Sequence, residues 1–162
     1  MDNFFEKNII IRKLDENDKE IFIKLRMAYL METFDNVNLT DIKQIEKYLN
    51  KYFDGHIIKN DFIGIIGEYN ENIVSVVYLI INDFPANPNV INGKAGTLLN
   101  VYTFPEYRKK GIAKKLIEEI IKEAKIMGVN RIDLKATEDG YNLYKKLGFI
   151  DDNDCKGMIL KL

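Results

Sequence analysis

A mixed α/β (α+β) domain is the fold class this 162-residue sequence predicts, on three observations. Residues 62–69 and 73–81 are β-rich runs joined by Asn70-Glu71-Asn72, the pattern of a hairpin. A third run, Thr97-Leu98-Leu99-Asn100-Val101-Tyr102-Thr103, is ended by Pro105. Beyond it the period changes. Ile112, Ala113, Leu116, Ile117, Ile120, Ile121, Ala124 and Met127 recur at three- and four-residue steps and share one helical face, while Lys114, Lys115, Glu118, Glu119, Lys122 and Glu123 fill the other. Gly128 supplies the C-cap. A further strand over 131–137 then connects by a right-handed crossover, which sets it parallel to and beside 97–103.

Upstream, Ile9, Ile10 and Ile11 mark a first strand within 8–14, and Asp15 is placed to cap the next element. Ile21, Phe22, Leu25, Ala28 and Tyr29 form the inward face of a helix running to about Thr33, with Asp15, Glu16 and Asp18 at its positive dipole end. A second helix is expected from Thr40, with Ile42, Ile45, Leu49 and Tyr52 inward. Residues 82–96 hold Pro85, Pro88, four asparagines and two glycines, and read as loop. Residues 139–147 read as a short helix, and 149–151 with 158–162 as a closing pair of strands. Repeats, low-complexity segments and linkers are absent, so 1–162 is read as one domain.

Composition narrows the function classes. With 46% hydrophobic and 30% charged residues the chain is globular rather than disordered. The 24 Lys and Arg against 25 Asp and Glu leave no general basicity, which argues against a nucleic-acid or anionic-membrane partner. No apolar run approaches a membrane span and residues 1–6 lack the pattern of a signal peptide, so a cytoplasmic location is expected. One cysteine, Cys155, and one histidine, His56, exclude an intrachain disulfide and a zinc site of several Cys or His ligands, and no metal is expected. Cys155 sits in a polar turn and His56 after Gly55, and both read as surface residues.

The chemistry concentrates in the turn Arg108-Lys109-Lys110-Gly111-Ile112-Ala113. It enters the long helix, whose unpaired N–H groups and positive dipole end point back at it, so it is an anion site. Gly111 allows close backbone approach, Ala113 is small, and Arg108, Lys109 and Lys110 add charge. The spelling is neither a P-loop nor the three-glycine dinucleotide fingerprint. It resembles the pyrophosphate-binding signature of the GNAT superfamily of N-acetyltransferases, Arg/Gln-x-x-Gly-x-Gly/Ala, through Arg108, Gly111 and Ala113. Val101 to Thr103 and Pro105-Glu106-Tyr107 look like the strand and approach that precede it. Leu143-Tyr144-Lys145-Lys146-Leu147-Gly148-Phe149 looks like the family's second motif.

That resemblance implies a mostly antiparallel sheet of six or seven strands, splayed at its centre, with helices on both faces. It implies acetyl-CoA as cosubstrate, a primary amine as acceptor, and direct attack of the amine on the thioester in a ternary complex. Asn100, Val101, Tyr102 and Thr103 on the central strand, the turn residues Arg108, Lys109, Lys110, Gly111, Ile112 and Ala113, and Thr137 would hold the cosubstrate. Val101 and Thr103 would do so through their backbone. Tyr144 occupies the position of the phenol that protonates the departing thiolate. Tyr29, Glu32 and Asp35 fall on the acceptor side.

The sequence departs from the family pattern where relatives carry a glutamate base, since mid-strand Asn100 cannot take a proton at neutral pH, and this leaves the base open. Thr137 and Gly140 replace the usual Asn and Ala before Tyr144. The acidic lean of residues 15–35 hints at a cationic acceptor. A homodimer is compatible with the resemblance. The rival readings are a non-catalytic acyl-CoA-sensing module and, more distantly, a hydrolase using Cys155 and His56.

Overall fold

The computed structural model describes residues 8–152 and 158–161. In chain order these form β1 (Ile10–Lys13), α1 (Lys19–Thr33), α2 (Leu39–His56), β2 (Phe62–Tyr69), β3 (Asn72–Asp83), β4 (Lys94–Thr103), a 3-10 turn (Pro105–Tyr107), α3 (Ile112–Ile126), β5 (Arg131–Asp133) and α4 (Glu138–Lys146). The sheet runs β1-β2-β3-β4-β5, antiparallel as far as β4 and parallel between β4 and β5. The β2–β3 hairpin turns on Asn70 and Glu71, both at positive φ (49° and 63°), the geometry of a two-residue hairpin loop that matches strand twist.

Alternation along β2 and β3 assigns the two faces. Ile63, Ile65, Val77 and Leu79 point to α3, where Ile112, Leu116, Ile117, Ile120 and Ala124 meet them. Phe62, Ile66, Val76 and Tyr78 point the other way, onto Phe22 and Leu25 of α1 and Phe53 of α2. The Tyr78 hydroxyl donates to the carbonyl of Phe22 at 3.1 Å, so this buried phenol is satisfied within the aromatic layer. At the entry to α1, Arg12 donates to both oxygens of buried Asp18 (2.6 and 2.9 Å) and to Glu68 (2.8 Å). These bonds hold the Asp18 carboxyl below the usual carboxylate range.

Several expected boundaries change. The described residues form five strands rather than six or seven. Residues 149–151 are not a strand: Phe149 N–H bonds the Tyr144 carbonyl (3.0 Å) and Gly148 takes φ 92°, so this segment closes the C-terminus of α4 instead of extending into a ladder. Residues 158–161 are likewise irregular, and Leu162 lies outside the described residues. The expected loop 82–96 is shorter at both ends, because β3 continues to Asp83 and β4 begins at Lys94, paired Asp83 to Lys94 and Asn82 to Ala95. The expected strand 131–137 stops at Asp133. Its truncation is a feature of the site.

Candidate functional site

Regular pairing fails at the middle of β4. Val76 pairs with Tyr102 and Tyr78 with Leu99, so Val77 alone faces both Asn100 and Val101. This is a bulge, and Asn100 makes it by taking φ +53°, a conformation that asparagine tolerates better than β-branched neighbours would. The extra residue shifts the alternation, so that Leu98 and Val101 both pack on the α3 side while Leu99 and Tyr102 face α1. A bulge also leaves backbone groups outside the ladder.

β5 pairs with β4 only from Ala95 to Thr97, opposite Arg131 to Asp133. Past that point the strands diverge, and a cleft of about 390 Å³ opens, lined by Tyr29, Asn100, Val101, Leu134, Thr137 and Tyr144 among others. The described sheet is therefore splayed between its last two strands, β4 and β5, and not at the centre of the order β1-β2-β3-β4-β5. Among the described residues Leu134 to Thr137 have no strand beside them, and they form none themselves.

Asn100 is 2% exposed and its Oδ1 accepts from Arg26 Nη1 at 3.0 Å. A guanidinium can only donate, which fixes the orientation of the amide. Asn100 Nδ2 is then a buried donor with no partner among the described residues. Such a group costs about 1–3 kcal/mol when left unpaired, and here it borders the cleft, where a ligand oxygen would satisfy it.

Tyr144, on α4, is 9% exposed, with its ring edge-on to Phe149 at 5.8 Å between centroids. Burial, and secondarily Tyr29, push its pKa above the ordinary phenol value. Gly140 explains how the ring fits: a Cβ there would lie 3.0 Å from Tyr144 Cε2 and 3.3 Å from Thr137 Oγ1. Thr137 is the N-cap of α4, its Oγ1 accepting from the Gly140 N–H at 3.2 Å.

After β4 the chain makes the basic turn. Arg108 Nε donates to the Thr103 carbonyl (2.8 Å), Nη2 reaches both carboxylate oxygens of Glu32 (2.6 and 2.7 Å), and the guanidinium carbon lies 5.7 Å from the centre of the Tyr102 ring. Lys110 Nζ donates to the Glu106 carbonyl at 2.6 Å. Lys109 (φ 59°) and Gly111 (φ 77°) both take left-handed backbone, and Gly111 is the N-cap of α3 with no side-chain cap. The first helical bond is from Lys115 N–H to the Gly111 carbonyl, so the amides before it have no helical acceptor and face the positive end of the dipole. Ile112 is 2% exposed in the core and can serve a ligand only through its backbone.

Other proteins share this fold. A sequence model described as the Acetyltransferase (GNAT) family matches residues 25–149. The chain belongs to that family. It is 26% identical to an uncharacterized N-acetyltransferase, ycf52, of the alga Porphyra purpurea, over 96% of this chain and 94% of that protein. Among solved structures, a predicted acetyltransferase with acetyl-CoA from Clostridium acetobutylicum superposes with a TM-score of 0.83 at 28% identity, covering 93% of this chain and 96% of that one. A GCN5-related N-acetyltransferase from Ralstonia eutropha shares the fold at a TM-score of 0.79 and 22% identity, covering 93% and 98%.

Within this GNAT domain the predicted site residues divide. Asn100, Val101, Thr137, Tyr144 and Tyr29 share the cleft. Tyr102 lies under Arg108 and faces α1. Glu32 is bound to Arg108 rather than standing clear at an acceptor site. Asp35 lies in a different and larger groove, about 1110 Å³, between α1 and α2. His56 is the last residue of α2, stacked on Tyr52 at 4.1 Å and bonded through Nδ1 to Asp61 at 2.7 Å, and Cys155 lies outside the described residues. No helix among the described residues is long and apolar enough to cross a membrane. Sequence reasoning misses Arg26, which sits on α1 beyond the expected inward face of Ile21, Phe22, Leu25, Ala28 and Tyr29. A lone cation between apolar positions is the available signal.

Proposed function

We propose that this domain transfers an acetyl group from acetyl-CoA to a primary amine, by direct attack within a ternary complex. The observation that carries the proposal is the convergence, on one cleft, of the Tyr144 phenol and a buried Asn100 Nδ2 without a partner among the described residues, on the same strand, β4, that leads to the 108–113 turn. The turn's amides and cations bind the pyrophosphate, and the strand edges freed by the bulge and splay bind the pantetheine amides. With the thioester held in the cleft, the acceptor nitrogen bonds to the carbonyl carbon, the C–S bond breaks, the sulfur takes up a proton and the nitrogen loses one.

Each protein group has one task in that sequence. Asn100 Nδ2, with a backbone N–H of the bulge at Val101, donates to the carbonyl oxygen as negative charge gathers there. Tyr144 protonates the leaving sulfur. Its raised pKa keeps the phenol protonated throughout the neutral range. Among the described residues Asp133 is the one carboxylate bordering the cleft, and Arg131 holds it at 2.9 Å. The acceptor accordingly reacts as free amine taken from solvent, and kcat/KM should rise with pH up to the amine's own pKa.

Calorimetric titration of acetyl-CoA, combined with free-thiol release across amine classes, tests the reading in wild type and Tyr144→Phe. Turnover is expected to fall about 10²-fold in the variant with acetyl-CoA affinity retained. Equal turnover would reduce Tyr144 to packing. Binding without turnover of any amine would make the domain an acyl-CoA sensor.

A further inference from the structure

The sequence contains four arginines, and three of them carry a carboxylate: Arg12 has Asp18 at 2.6 Å, Arg108 has Glu32 at 2.6 Å and Arg131 has Asp133 at 2.9 Å. Arg26 is the exception. Among the described residues no carboxylate lies within 4 Å of it, although it is half-buried and burial lowers its pKa. Its partners are Asn100 Oδ1 at 3.0 Å and the face of Tyr29, 5.5 Å from the ring centre. A cation drawn from water without a counter-ion is costly unless something else supplies the negative charge.

Arg26 also stands between the two cavities. It lines the groove between α1 and α2, while Asn100 and Tyr29, its partners, line the acetyl-donor cleft. We propose that Arg26 is the anion-binding residue for the acceptor, and that the acceptor is an amino acid with an apolar side chain, whose carboxylate meets Arg26 and whose body occupies the α1–α2 groove. This rests on the acetyltransferase reading and specifies its substrate class.

Three features support that occupant. Arg26 spends one N–H on Asn100, and its remaining donors can grip a carboxylate in a two-bond fork. An anion held there is one side chain away from Asn100 Nδ2, the donor assigned to the reacting carbonyl, so the carboxylate and the attacking nitrogen have to be close neighbours, as in a 2-amino acid. The groove walls are largely apolar and aromatic, including Leu30, Phe34, Tyr48, Leu49 and Tyr52, and the Tyr52 hydroxyl is a second buried group without a partner among the described residues.

Charge along the groove agrees. Asp41 is in the first turn of α2 and His56 at its last residue, roughly 22 Å apart by helical rise, so the acidic residues Asp35 and Asp41 gather at one end. Lys51 and Lys59 lie at the other, where Tyr52 neighbours Arg26 and the Asp61 carboxylate is bonded to His56. Two of the acids that hinted at a cationic acceptor are engaged elsewhere, Asp18 with Arg12 and Glu32 with Arg108, and a third, Asp35, lies at the far, acidic end of the groove.

The test uses matched pairs with and without the carboxylate: L-phenylalanine and phenethylamine, L-leucine and isoamylamine, L-methionine and 3-(methylthio)propylamine, with spermidine as a cationic comparator. Thiol release is measured for wild type, Arg26→Gln and Arg26→Lys, and acetyl-CoA binding by calorimetry on the same samples. Wild type should favour the amino acid of at least one pair by on the order of 10²-fold in kcat/KM. Arg26→Gln should remove most of that preference through KM, and Arg26→Lys should keep part of it. Equal rates within every pair, a preference for spermidine, no turnover of any of the seven amines, or a preference that survives in Arg26→Gln would overturn the proposal. Acetyl-CoA binding separates the two levels, since a wild type that does not bind it refutes the acetyltransferase reading itself, and the acceptor proposal with it.

Discussion

α3 and α2 are amphipathic helices of similar length on opposite faces of one sheet, yet they are buried very differently. Along α3, Ile112, Leu116, Ile117, Ile120 and Ala124 are all at most 2% exposed, whereas along α2 only Phe53 is buried to that degree. The donor side is thus a packed layer whose helix N-terminus is fixed relative to the bulge in β4. The side proposed for the acceptor is an open groove, with the Tyr52 hydroxyl in its wall lacking a partner among the described residues. A cosubstrate common to a family suits the first construction, and an acceptor that varies between family members suits the second.

The sharpest way to break the donor side is Gly111→Glu. The position has φ 77°, where a side chain is strained, and the new carboxylate would sit at the amides and cations proposed to bind the pyrophosphate. Acetyl-CoA binding by calorimetry should be lost, by at least about 10²-fold, while thermal unfolding of the apoprotein shifts only modestly because Gly111 is half-buried beside exposed Arg108 and Lys109 and outside the core. Retained binding would place the cosubstrate somewhere other than this turn.

A smaller effect is expected one turn before Tyr144. Gly140→Ala puts a methyl 3.0 Å from the Tyr144 ring, so the ring has to move by a few tenths of an ångström. Misplacement of a proton donor lowers kcat more than binding, here by about 5- to 20-fold. The pairing with Tyr144→Phe makes the test specific: once the phenol is gone, Gly140→Ala should add little further loss. Independent losses would mean that Gly140 serves helix entry rather than the ring.

The donor side is also the more legible in the sequence, for the same physical reason. Its helix, its cap and its turn are local features: a 3.6-residue period, a glycine at positive φ, three consecutive cations. What escapes a sequence is anything set by a partner distant along the chain. Asn100 reads as an amide in mid-strand, but the bulge depends on Val77 of β3 and the amide's orientation on Arg26 of α1. Residues 134–137 have the composition of a strand but no neighbour to pair with among the described residues. Gly140 reads as a loosened helix start, whereas in the fold it makes room for the Tyr144 ring. Glu32 reads as an acceptor-side acid because the residue that claims it, Arg108, lies 76 positions later.

That last contact yields the smallest predicted effect and the most direct comparison between the two sides, because it joins them. Arg108 cannot give its Nη2 to both Glu32 and a pyrophosphate oxygen in the same geometry, so cosubstrate binding has to loosen the pair. Both side chains are more than 40% exposed, and an ion pair of that kind contributes about 0–1 kcal/mol. Glu32→Gln should therefore tighten acetyl-CoA binding by at most about fivefold, with the gain shrinking as salt is raised. Weaker binding in the variant would reverse the reading: Glu32 would then hold Arg108 in the orientation the pyrophosphate needs, and α1 would contribute to the donor site as well as to the acceptor groove.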